Sequence, residues 1–238
     1  MKKHPMGKKA LLGLLSILIA GISSASAGEA SGSKPAKKEV SKNYDEMVVV
    51  PAGKFIFGKP GATKKISLPA FAIDKYEVTN KQYAQFNLDH KYGAGGANYP
   101  VTMVSLADAN DHCAALKKRL PTEQEWEKAA RGTDGRNYPW GNQFDKVLCI
   151  TNESADDGKT TIIAPVGSCE KGNSPYGAAD MAGNVWEWTS SNEDRYSVLK
   201  GGSFFEDRNF ATTHSNLLSI PDDAKDYVGF RCVKDIKK

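Results

Sequence analysis

The chain has 238 residues with 32 Lys and Arg against 28 Asp and Glu, so its formal charge is +4. That excess resides in four lysines of the first nine residues, which leaves 28 of each sign beyond them and no basic stripe for nucleic acid. Four cysteines at wide, irregular spacing exclude a zinc knuckle or a CxxC redox pair.

Lys2, Lys3, Lys8 and Lys9 form a basic lead, Ala10 to Ile22 an apolar run too short to span a bilayer, and Ala25-Ser26-Ala27 a small-residue cleavage site. Residues 1–27 therefore read as a secretory signal peptide, and the expected location is periplasmic or secreted. No membrane span is expected after cleavage. Residues 28–45, rich in Lys, Ser, Ala and Glu, read as a flexible linker, and 46–238 as one domain.

Met47 to Gly58 predicts two short strands turned at Pro51-Ala52-Gly53. Gly53, Gly58 and Lys59 share the spacing of a phosphate-binding loop, but Pro60 stands where a magnesium-holding hydroxyl is needed. Thr79 with Gln82 and Thr122 with Glu125 are capping boxes that start helices. Between them, Leu106, Ala109, Cys113 and Leu116 form one helical stripe, with Cys113 inward. His90, His112 and His214 are scattered and read as surface or polar-core residues.

Beyond Gly132 the pattern turns to loops, which bury too little apolar surface to offset their ordering entropy without disulfides or cations. Asn152, Asp156, Asp157, Asp180 and Glu187 offer oxygen donors of the kind calcium takes, although each alone reads as a solvated turn residue. Glu187 differs. Between Trp186 and Trp188 its carboxylate must be paired, hydrogen-bonded or metal-bound.

Tyr76-Glu77-Val78-Thr79-Asn80, the run Arg119 to Glu127, Tyr138-Pro139-Trp140-Gly141-Asn142, Gly183-Asn184-Val185-Trp186-Glu187-Trp188, Lys200-Gly201-Gly202-Ser203 and Gly229-Phe230-Arg231-Cys232 occur in the order of the formylglycine-generating enzyme, or sulfatase-modifying factor, family. The resemblance covers nearly all of residues 46–234. It implies an α+β, C-type-lectin-like, loop-rich domain with a small antiparallel sheet, about three helices and structural calcium. Carried over, one calcium site uses Asp180, Gly183, Val185 and Glu187, and a second lies around Asn152, Glu153, Asp157 and Lys159. The resemblance also implies a Cys113–Cys232 bridge, leaving Cys149 and Cys169 for a second, local one.

Catalytic members of the family carry two cysteines soon after the Gly-Gly-Ser element, resembling a copper(I)-thiolate centre. Here Glu206 and Ala211 stand near those positions. Copper(I) prefers thiolate, so copper-dependent formylglycine generation is not expected. The leading expectation is an exported, calcium-stabilised domain, a monomer or part of an envelope complex, that binds a protein, peptide or other ligand through the loop of Ser203, Glu206, Asp207 and Arg208. The alternative is an oxidoreductase of the same superfamily with a different metal site, iron included.

Overall fold

Three capping boxes set the helices of the computed structural model, which describes residues 42–155 and 162–236. The signal peptide, all but the last residues of the linker, and Asp156, Asp157 and Lys159 lie outside that range. Helix α1 spans Asn80–Phe86, α2 Leu106–Ala115 and α3 Glu123–Arg131. Each N-cap hydroxyl accepts the N3 amide while the N3 side chain reaches back to the cap, which satisfies two otherwise orphaned donors. The α2 box, made by Ser105 and Asp108, is the third. Leu116 falls beyond α2 and is 52% exposed, so the predicted stripe ends one turn early.

The first two strands form where expected, β1 at Met47–Val50 and β2 at Gly53–Phe57, but they do not pair with each other. Strand β1 lies antiparallel to β4 (Phe71–Asp74), which pairs in turn with β9 (Val233–Asp235). Strand β2 forms a separate hairpin with β3 (Lys64–Leu68). Pro51-Ala52-Gly53 thus passes the chain between sheets.

The loop-rich half holds the largest sheet, of order β7-β6-β5-β8. Strand β5 spans Trp186–Glu193, β6 Tyr196–Lys200, β7 Asn216–Ser219 and β8 Val228–Gly229; β8 runs parallel to β5 and the other pairs are antiparallel. The architecture is α+β, with three helices and several small sheets joined by long loops. No helix among the described residues is long and apolar enough to cross a membrane.

Strand alternation in β5 positions the core. Trp186 and Trp188 enter one apolar cluster with Tyr83, Cys113, Phe230 and Cys232, and burial of each indole contributes on the order of 3 kcal/mol. Glu187, one residue between, faces the opposite way toward Trp126, which belongs to a second cluster with Phe71, Ile73, Ala129, Ala130 and Val233. The Cys113–Cys232 disulfide closes 119 residues and ties α2 to the chain just before β9.

Candidate functional site

Glu187 is fully buried, and both of its oxygens are occupied. Arg231 donates from Nε to Oε2 at 2.8 Å and from Nη2 to Oε1 at 2.7 Å, while Trp126 Nε1 donates to Oε2 at 2.8 Å. Arg231 spends its remaining donors on the carbonyls of Asp74, Lys75 and Ala179. Burial alone would lower the guanidinium's proton affinity, but Glu187 raises it and keeps the charge in place. This is a closed, charge-assisted knot.

The calcium set inferred from the resemblance shares Glu187 with this fork. A cation on Glu187 would share the carboxylate with Arg231, because Oε1 accepts a single hydrogen bond. Among the described residues no three His, Cys, Asp or Glu side chains are arranged to hold a metal ion. Asp180 is buried with φ +56° and accepts the Gly167 amide. Gly183 is there for close approach: a Cβ would stand 2.2 Å from the Ile150 carbonyl oxygen. Val185 is buried at the entry to β5. Of the second set, Asn152 donates to the Phe205 carbonyl and Glu153 is held by Arg208.

Beside the knot lies Glu77, which the sequence places only within a family motif. Its Oε1 accepts Asn184 Nδ2 at 2.9 Å, but Oε2 has no hydrogen-bond partner. Burial, then the charge of Asp180, pushes its carboxyl well above the usual carboxylate range; burial raises Asp180 as well. Arg231 was equally hidden. Its only signal is a lone cation between Phe230 and Cys232 at a strand end, which needs a buried acid somewhere in the fold.

The Gly201-Gly202-Ser203 turn brings the other candidates together. Gly202 has φ +77°, and a Cβ there would stand 2.8 Å from the Phe210 carbonyl oxygen, so the turn admits glycine alone without distortion. Ser203 is buried, and both its amide and hydroxyl donate to Glu206 Oε2. Glu206 Oε1 accepts Trp186 Nε1 at 3.1 Å. Its backbone is held too, since its carbonyl accepts the Asn152 amide at 3.0 Å. The glutamate thus fastens the loop to β5.

Asp207 caps the next turn by accepting the Asn209 amide at 2.9 Å. Arg208 forks onto Glu153, with Nε 3.0 Å from each carboxylate oxygen, and lies over the Phe144 ring at 4.6 Å. Those hydrogen bonds hold Glu153 below the usual carboxylate range. Ala211 is buried against Cys149 and Ala182. What the loop presents outward is aromatic: Phe205 is 68% exposed and stacks on Tyr227 at 6.2 Å, and Phe210 meets Trp186 edge-on.

The expected second bridge is not formed. Cys149 and Cys169 are free thiols, each pushed up to about 12 chiefly by burial. Both are protonated at neutral pH and are weak nucleophiles and poor soft-metal ligands in that form. The Ser203 hydroxyl is enclosed and spent on Glu206.

The sulfatase-modifying factor enzyme 1-like domain model matches residues 32–236. The chain belongs to this family. It is 30% identical to a protein of Bos taurus called inactive C-alpha-formylglycine-generating enzyme 2, over 78% of this chain and 87% of that one. It is 27% identical to a formylglycine-generating enzyme of Thermomonospora curvata, over 79% and 93%. Among solved structures, PvdO from Pseudomonas aeruginosa superposes with a TM-score of 0.69 at 23% identity, covering 84% of this chain and all of that one. The fold of this sulfatase-modifying factor domain is therefore that of the formylglycine-generating enzymes, and the Glu187 knot and the Gly201-Gly202 turn are placed within it.

Proposed function

We propose that this domain is an exported binding module that does not generate formylglycine and that engages a protein or peptide segment through the loop from Ser203 to Ala211. One observation carries the reading: Glu206 stands near the position where the family resemblance puts a copper-binding thiol, and its carboxylate is spent on Ser203 and Trp186. A carboxylate and the methyl group of Ala211 do not make a copper(I) site. Cys149, which packs against Ala211, and Cys169 are protonated thiols.

The exposed Phe205–Tyr227 stack and Phe210 supply apolar area at low entropic cost, and Asp207 beside it adds charge, a composition suited to a peptide ligand. Export is supported by the basic, apolar and small-residue lead, and by a disulfide that an oxidising compartment maintains. The inactive name of the Bos taurus relative points the same way. Arg231 and the disulfide brace the scaffold around the loop.

The test is incubation of purified protein, loaded with copper(I) under oxygen, with a cysteine-containing sulfatase peptide. No aldehyde should appear by mass spectrometry, while Glu206 and Ala211 replaced together by cysteine should at least gain copper(I) affinity. Aldehyde formed by the unaltered protein would overturn the proposal.

A further inference from the structure

His112 is buried at 2% exposure, and neither Nδ1 nor Nε2 has a hydrogen-bond partner. Its ring stacks on Tyr83 at 5.5 Å and meets the edges of Phe86 and Phe230 at 5.3 and 5.4 Å. A phenylalanine would fill such an aromatic box without stranding two polar atoms, so packing alone does not account for an imidazole here. Nor does the helix dipole, because a ring at the end of α2 benefits from it only when charged, and burial holds His112 down to about 4. At neutral pH it is uncharged, with one donor and one acceptor both unused.

The same residue lines a cavity of about 340 Å³ between the ends of α1 and α2, within the range of small-molecule sites. Phe86, Ala115 and Leu116 form apolar walls, and Asp45 and Gln85 stand at the rim. Phe86 is 41% exposed, lines the same cavity and lies edge-on to the imidazole. The cavity lining contains an acid and no lysine or arginine, which disfavours anions.

We propose that this cavity is a binding site for a small uncharged phenol, its ring seated between Phe86 and Leu116 and its hydroxyl hydrogen-bonded to His112. A hydroxyl both donates and accepts, so it suits whichever tautomer the imidazole adopts. A plain hydrocarbon would leave the imidazole nitrogens unpaired, and a carboxylated phenol would face Asp45. The site is separate from the Ser203–Ala211 loop and stands whether or not that loop binds a peptide.

The purified protein is titrated calorimetrically with 4-methylphenol, toluene and 4-hydroxybenzoate, while NMR follows the His112 ring. 4-Methylphenol should bind roughly tenfold more tightly than toluene, the worth of one such hydrogen bond, and shift the His112 resonances. 4-Hydroxybenzoate should bind more weakly than 4-methylphenol. His112→Phe should reduce the preference over toluene to parity, and Ala115→Trp, which fills the cavity and spares the imidazole, should abolish binding of both. Equal affinity for 4-methylphenol and toluene, no saturable binding, 4-hydroxybenzoate binding as tightly, or binding that survives both substitutions would each overturn the assignment.

Discussion

Two arginine–carboxylate forks in this domain pair the same chemical groups in opposite surroundings. Arg231 and Glu187 are both at 0% side-chain exposure, whereas Arg208 and Glu153 are at 53% and 26%. In the first, neither partner can recover water if the other is lost, so the pair acts as a single structural unit. In the second, solvent replaces either partner and side-chain entropy offsets much of the attraction. Burial, more than hydrogen-bond length, decides what such a fork does for the fold.

The strongest way to break that contrast is to cut the buried fork. Arg231→Met strands Glu187 and should cost about 3–5 kcal/mol by denaturant melting; a loss near zero would show that water reaches the site. Replacing both residues by methionine should restore part of that loss, because no uncompensated charge remains. If the fork holds the domain without a cation on Glu187, a chelator should leave the melting temperature of the unaltered protein unchanged. Next in size, Cys113→Ser with Cys232→Ser should cost about 2–4 kcal/mol, since that bridge restrains a long loop of the unfolded chain.

His112 sharpens the comparison with a buried group that has no partner. Its folded value, about 4, lies below its ordinary 6.5, so the unfolded chain binds the extra proton between those pH values. Stability should be intact above pH 6.5 and fall by up to roughly 3 kcal/mol as the pH drops toward 4. Urea melts of the protein and of His112→Phe, compared across that window, should show a shallower slope in the variant. Smallest of all, Arg208→Ala should leave the melting midpoint unmoved, although it leaves only the residue-208 amide on Glu153 and should return that carboxyl part of the way toward its ordinary range by NMR titration.

Much of the helical framework was legible because capping is local. Thr79 with Gln82 and Thr122 with Glu125 mark helix starts by side chains three residues apart, and the structure places both boxes as read. The strands were less so. Nothing local in Pro51-Ala52-Gly53 states that β1 and β2 join different sheets, because pairing depends on β4 and β3, which arrive later in the chain. Strand β5 was masked by its composition, since Trp186-Glu187-Trp188 reads as a site motif before it reads as a strand alternating between two cores.

By itself the sequence determined the family, the α+β class, the helix starts and the need of Glu187 for a buried partner, because motif order, capping and desolvation depend on residue type and short spacing. Only the tertiary structure decided that this partner is Arg231, that Cys149 and Cys169 are unbridged thiols, and that His112 lines a cavity with both nitrogens unused. Each of those depends on which distant side chains share a dry interior. The cost of burying a charge is written in one residue, but its compensation comes from another, 44 positions along the chain in the case of Glu187 and Arg231.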